Sequence, residues 1–395
     1  MRVLFLTDSF RPSRSACANR ASVLVEAMLN FGIDVQVLAS SDSILNTPEN
    51  YIKPEYVTFF STFPLIEKTL VNRLKNNFGG CKEAYKVAKR MGHFDLVICS
   101  TPPLILTQAA IKIAEINQAK LILDVRDIWP DVAYEMGSFA PKSIYGRFFS
   151  MLSNRAYKQA DLIVTVTPGK VTKLSSRVPL EKKDNIILVP NGIDESFLNE
   201  RIDADLVKKF DLNSGPICSY VGNIGLAQGL ESLLVIAENN PNVRFLLFGK
   251  GAEEETLRKC SQEKSLSNVE FCGTLDASGV FTVLKYSTLA YVPLKSSNLK
   301  DSIPTKMYEA FACGCPVLLA AEGDAASLLD ECGLGIHVAP EDLAAQLAGF
   351  DRMIKQLFSS EERASASAWV TKNHSRQRFA SLFAVEIEKL GEPRA

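Results

Sequence analysis

The chain repeats one pattern twice: a short apolar run, a turn, then a longer stretch with apolar residues at helical spacing. In the first half the apolar runs are Val3–Thr7, Val35–Ala39, Tyr56–Phe60, Leu96–Ser100, Lys120–Asp124, Leu162–Thr165 and Ile186–Val189. Helical patterns such as Ala18–Asn30, Leu104–Ile116 and Lys142–Gln159 lie between them. Continuous apolar strands separated by helices predict a parallel sheet covered on both faces. After Pro190-Asn191-Gly192-Ile193-Asp194 and a polar connector to about Ser214, the alternation restarts. Strands are predicted over Ile217–Val221, Arg244–Phe248, Val269–Phe271, Leu289–Val292, Val317–Leu319 and Gly335–Val338, with helices starting near Leu226, Ala252, Ala277, Pro304 and Ala325. The fold class is therefore α/β, two doubly wound parallel-sheet domains. From Pro340 the chain reads as helical to its end, and Trp369 and the segment Gln377–Leu390 are expected to pack back on the first domain. The expected division is 1–195, 196–372 and a returning helix at 373–395.

Length agrees with two domains, since 395 residues exceed what one core usually serves. The start, MRVLFLTDSF, meets Asp8 at once and reads as a first strand rather than a signal peptide. No run of 18 apolar residues occurs, so no transmembrane helix is expected. Nine cysteines with no CxxC pair suggest reduced thiols in a cytoplasmic protein, and three histidines make a His-rich metal site a poor expectation. The net charge of −1 hides an asymmetry: residues 1–190 carry 24 Lys and Arg against 17 Asp and Glu, and the remainder 20 against 28. A basic first half suits an anionic partner such as a membrane surface, or simply the acidic second half. Two stretches mix apolar and basic residues in the manner of an interfacial helix. One has Tyr145, Phe148, Phe149 and Leu152 among Lys142, Arg147, Arg155 and Lys158. The other, Phe59–Phe78, includes Phe63, Leu65, Ile66, Lys68, Leu70, Arg73 and Lys75. An ordinary core-facing stripe is the plainer reading of the first.

Candidate chemistry concentrates in three places. Asp301 to Val317 reads as a turn, a helix opened by Pro304, a glycine stop and a buried strand. A helix start with Lys306 in its first turn suits an anion, and Glu309 one turn on can accept hydrogen bonds from sugar hydroxyls. The segment from Gly222 through Asn223 and Gln228 to Gly229 follows a strand and opens a helix, a geometry that lets a phosphate approach the backbone. Phe248-Gly249-Lys250-Gly251 repeats it with an added cation. In the first half, Arg126 and Asp127 end a strand, where parallel sheets place ligands. They can serve as charge clamp and base, or as a structural pair. The first strand-to-helix loop has no GxGxxG, which argues against a classical dinucleotide dehydrogenase.

Together, the two Rossmann-like halves, the PNGID junction, the Gly222 loop and the Glu309 helix followed by Gly-Cys-Pro-Val resemble retaining glycosyltransferases of the GT-B fold, family 4. VRDIWP, GNIGLAQGL and SIPTKMYEA are most similar to the branch that builds bacterial O-antigen and capsule repeats, which includes transferases of N-acetylfucosamine-type sugars. The resemblance implies two Rossmann-like domains facing across a cleft, with C-terminal helices on the first domain. It implies a UDP-sugar donor, a lipid-linked or oligosaccharide acceptor and peripheral contact with an anionic inner membrane from the cytoplasmic side. No nucleic acid, cofactor or metal is expected.

In that frame Glu309 binds the nucleotide ribose, and Asp301 or Ser302 meets the donor sugar. The backbone of Ile303, Pro304 and Thr305 approaches sugar or diphosphate, and Lys306 or Lys250 replaces the loop cations, since Asn223 and Gln228 stand where the family commonly has Arg and Lys. Ser13, Arg14 and Ser15 stand where the family has Gly-Gly, on the acceptor side. Asp127 is the one candidate base. Two other readings stay open: a UDP-sugar 2-epimerase, and a non-catalytic partner subunit that keeps the fold.

Overall fold

A computed structural model of the chain describes residues 1–13, 15–45, 47, 51–63 and 70–391, with the side chains of Leu70, Val71 and Arg73 excepted. Arg14, Leu65, Ile66 and Lys68 lie outside the described residues, as do those three side chains. The chain divides into two units: Met1–Asn191 with Gln377–Ala395, and Gly192–Arg376.

The first unit holds seven parallel strands, β1 (Arg2–Thr7), β2 (Asp34–Ser40), β3 (Val57–Phe60), β4 (Leu96–Thr101), β5 (Lys120–Val125), β6 (Leu162–Thr165) and β7 (Ile186–Leu188). They lie in the order β3-β2-β1-β4-β5-β6-β7. Strand side chains alternate between faces, and here both faces are buried. Val3, Phe5, Ile98 and Ile122 pack with helix Ala16–Asn30 and with Ala380, Phe383 and Ile387 of the last helix, Arg376–Gly391. Leu4, Leu6, Val97, Cys99 and Leu123 pack on the other face with Ala84, Ile111 and Tyr157. The last helix is therefore part of this core, as its apolar spacing suggested.

The second unit holds β8 (Ile217–Val221), β9 (Arg244–Phe248), β10 (Val269–Gly273), β11 (Leu289–Pro293), β12 (Val317–Ala320) and β13 (Gly335–Val338), in the order β10-β9-β8-β11-β12-β13. In each sheet the order reverses between the unit's first and fourth strands, β1 and β4 or β8 and β11. The two helix layers diverge at such a point, and the loops at the carboxyl ends open into a ligand-sized gap.

Two expectations are corrected. Trp369 does not pack on the first unit: it belongs to the second unit's core beside Phe311 and Val370, 4.8 Å from the His374 ring centroid. Helix Ser360–Asn373 lies against helix Thr305–Ala312, so only the final helix joins the first unit. The helix after the Gly222 loop begins at Glu231 rather than near Leu226. Gly229, at φ +61°, turns the chain where a Cβ would come within 3.0 Å of the Lys295 backbone, so residues 225–230 run as a turn. Among the described residues no helix is long and apolar enough to cross a membrane.

Candidate active site

In the second unit, three loops at the carboxyl edge of the sheet carry the candidate donor residues. The loop after β8 is locked onto the loop after β9 by backbone alone. Gly222 N–H donates to the Phe248 carbonyl at 2.8 Å, and Ile224 N–H to the Lys250 carbonyl at 3.0 Å. A Cβ on Gly249 (φ +151°) would lie 1.7 Å from the Gly222 oxygen, and one on Gly251 would lie 1.9 Å from the Ile224 oxygen. Glycine is required at both because two main chains occupy the space a side chain would take. Asn223 and Lys250 are exposed. Gln228 is half-buried, and its Oε1 is buried with no hydrogen-bond partner.

The third loop leads from β11 through the buried Asp301 and half-buried Ser302, Ile303 and Pro304 into helix Thr305–Ala312. Pro304 is its N-cap rather than its first residue and makes no side-chain cap bond; its carbonyl accepts from Met307 N–H at 3.1 Å, and the positive end of the dipole faces this loop. Thr305 opens the helix, and Met307, Tyr308 and Phe311 bury its apolar face.

Lys306 reaches back toward β8. Its Nζ donates to Tyr220 Oη at 2.8 Å and stands 4.0 Å from the centroid of that ring. A Cβ on Gly222 would be 3.3 Å from the same Nζ. The predicted cation and the predicted glycine loop are thus brought together, although 84 residues separate Gly222 from Lys306. Burial lowers the Lys306 ammonium to about 7, opposed by Glu309 one turn along the helix. Burial raises the Glu309 carboxyl, opposed by Arg376 and then Lys306. Each is pushed toward its neutral form because neither has enough opposite charge to offset lost water.

In the first unit, Arg126 and Asp127 follow β5 at the carboxyl edge. Arg126 donates from Nε to Ser100 Oγ at 3.2 Å and from Nη2 to the Pro102 carbonyl at 2.8 Å. The partly exposed Asp127 carboxylate is 4.0 Å from the Nζ of the buried Lys170. Ser15 is the N-cap of helix Ala16–Asn30, its hydroxyl accepting from Ala18 N–H at 3.1 Å, and Ser13 Oγ donates to Ser15 Oγ at 3.3 Å. Both hydroxyls therefore take part in the local turn. Among the described residues no three His, Cys, Asp or Glu side chains converge as a metal set.

Three groups here escaped sequence reasoning. Tyr220 looked like any strand residue. Asp8, just after β1, is held up at about 6 by burial and then by Asp42, with Arg126 opposing. Arg20 and Asp124 form a fully buried pair: Nη2 and Nε of Arg20 reach Asp124 Oδ1 at 2.7 and 3.0 Å, and Ser100 Oγ donates to Oδ2 at 2.8 Å. A signal existed for the last: an aspartate in the apolar run Leu121-Ile122-Leu123-Asp124-Val125 needs a buried counter-charge.

Comparison with known proteins identifies the family and the fold. Residues 18–197 match the model of Glycosyltransferase Family 4, and residues 204–368 that of Glycosyl transferases group 1. "Probable glycosyltransferase WbjE" of Pseudomonas aeruginosa is 24% identical over 281 residues, 70% of each chain. Sucrose-phosphate synthase from Thermosynechococcus elongatus has the same fold, with a TM-score of 0.80 at 17% identity over 99% of both chains. Anabaena HepE, solved in complex with UDP, gives 0.73 at 15% identity over 98% of this chain and 100% of its own. With a family 4 domain and a group 1 domain on two Rossmann-like units, the chain belongs to the GT-B glycosyltransferases of family 4.

Proposed function

We propose that the protein transfers a sugar from a UDP-sugar to a lipid-diphosphate-linked or oligosaccharide acceptor in the assembly of a bacterial surface polysaccharide, with retention of configuration. The observation that carries this is the Lys306 amine at the Gly222 loop, beside a helix N-terminus whose cap residue makes no side-chain hydrogen bond. An amine and oriented backbone dipoles converging at one point suit a diphosphate, and they can stabilise departing UDP without a metal. Glu309, one turn further, binds the ribose hydroxyls. Asp301 or Ser302 meets the donor sugar. HepE was solved with UDP and with UDP-glucose, which supports the nucleotide, and a relative 22% identical over 243 residues, O-antigen chain mannosyltransferase C of Escherichia coli, supports the polysaccharide.

The acceptor side is assigned to the carboxyl edge of the first sheet. There Arg126 orients the acceptor; in a front-face attack the acceptor hydroxyl oxygen bonds the anomeric carbon as UDP leaves, its proton passes to a donor phosphate oxygen, and Asp127 assists by hydrogen-bonding that hydroxyl. Ile144, Tyr145 and Met151 are exposed on helix Ile144–Gln159 together with Arg147 and Arg155. An apolar and basic face of this kind supports peripheral contact with the anionic cytoplasmic face of the inner membrane.

The test is to incubate the protein with UDP-GlcNAc and other UDP-sugars, with and without a lipid-diphosphate sugar in anionic vesicles, in the presence and absence of EDTA. UDP release that requires the acceptor, survives EDTA and gives a product of the donor's anomeric configuration is expected. Release of UDP and free sugar without acceptor would refute the transferase reading, and a strict need for Mg²⁺ would refute the metal-free leaving group. Glu309→Ala should weaken UDP binding about tenfold or more, the loss of a pair of hydrogen bonds to the ribose.

A further inference from the structure

The proposed donor site leaves one question that its geometry addresses: how a lysine on a helix serves a loop on another strand. Tyr220 is fully buried in β8, two residues before the loop. Its hydroxyl accepts from Lys306 Nζ and donates to the Asn223 carbonyl, while its ring lies under the amine. One side chain therefore ties the amine to the loop backbone on two sides. Cα of Gly222 closes a third side, since a Cβ there would stand 3.3 Å from Lys306 Cε. Few rotamers are left to the lysine.

The charges around it are few. The loop from Gly222 to Gly229 contains no ionisable side chain. β8 contributes Tyr220, whose phenol is raised by burial and stays neutral. The helix contributes Glu309, with Arg376 beyond it. The loop after β9 contributes Lys250, which is exposed. Glu309 opposes the shift, but burial outweighs it and leaves the Lys306 ammonium near 7.

We propose that Tyr220 is a positioning residue for the donor diphosphate: it holds the Lys306 amine at the glycine loop, where binding of a nucleoside diphosphate draws a proton from solvent onto that amine. The step is R–NH₂ plus H⁺ giving R–NH₃⁺, with buffer as the proton source and no covalent change in the ligand. Because the diphosphate stabilises the ammonium, its pKa is higher in the complex than in the free protein. Protons are therefore taken up on binding above about pH 7, and affinity falls as pH rises. Between pH 7.5 and 9 the protonated fraction of a group near 7 drops roughly 20-fold, and affinity should drop with it. The terminal phosphate of UDP is fully ionised across that window and does not contribute.

The inference rests on the donor reading above, and calorimetry of the full-length protein with UDP separates the two. Titrations at pH 7.5 in buffers of different ionisation enthalpy should show uptake of about 0.7 proton per UDP. Lys306→Arg should bind with no uptake and with equal affinity at pH 7.5 and 9. Tyr220→Phe keeps the ring but loses both hydroxyl bonds. It should bind UDP about tenfold more weakly at pH 7.5, with the pH midpoint moved down, because the ammonium has lost an acceptor. Circular dichroism checks that each variant folds. UDP binding to the wild-type protein without proton uptake would overturn the inference and leave the donor reading standing. A Tyr220→Phe variant with wild-type affinity and pH profile would remove Tyr220 from the role. Absence of UDP binding at any pH would remove the donor reading and this inference with it.

Discussion

Replacing Arg20 by methionine should be among the most damaging single changes in the first unit. Its side chain is 5% exposed and that of Asp124 is 0% exposed. Arg20 spends Nε and Nη2 on Asp124, and Nη1 on the Val189 carbonyl at 2.9 Å and Asn191 Oδ1 at 3.2 Å. It thus joins helix Ala16–Asn30 to the end of β5 and to the segment after β7. Without it, the Ser100 hydroxyl is the one remaining side-chain donor to Asp124 among the described residues, and it carries no charge. Removing one member of a buried pair leaves an uncompensated charge and costs about 3–5 kcal/mol, a large share of the total stability of a domain. Replacing both members by apolar residues, Arg20→Met with Asp124→Leu, removes the stranded charge and should cost less than the two single changes together by about 2 kcal/mol or more. The chain has two tryptophans, and Trp129 lies in the first unit, 5.5 Å from the Phe149 ring centroid. In a Trp369→Phe background, urea unfolding followed by Trp129 fluorescence reports this unit. A cost below about 1 kcal/mol for Arg20→Met, or strict additivity in the double variant, would refute the argument.

Gly249→Ala should destabilise the second unit by more than about 3 kcal/mol, because the new Cβ meets the Gly222 oxygen at 1.7 Å as well as a disfavoured φ; Gly137→Ala, at φ +69° with nothing within 4 Å, should cost only about 1 kcal/mol. Thermal melting of the two variants checks the contrast, and equal shifts would contradict it. Asp8→Asn should stabilise the protein at pH 7.5 but not at pH 4. The folded carboxyl holds its proton up to about 6 while the unfolded one releases it near 3.8, so wild-type stability falls as pH rises between those values, by up to about 3 kcal/mol. A melting-temperature gain that is the same at both pH values would show that Asp8 is not strained by burial.

Each predicted strand is present, within a residue or two at its ends, because a strand covered on both faces must be apolar along its length, and that is a local property. The glycine loops were equally legible, since left-handed φ values and close main-chain approach leave glycine as the usual choice. So were Lys306 and Glu309, whose three-residue spacing places them on one side of a single helix. Which long-range partner each group has depends on sheet order, and spacing along the chain carries no record of that. The order β10-β9-β8-β11 puts Tyr220 beside the loop that leads to Lys306. The order β1-β4-β5 sets Ser100 next to Asp124, with Arg20 coming from 104 residues away. Trp369 and residues 377–390 belong to consecutive helices, yet the first packs in the second unit and the other in the first. Hydrophobic patterning determined that each would be buried, while the packing surface left open by the rest of each unit decided where.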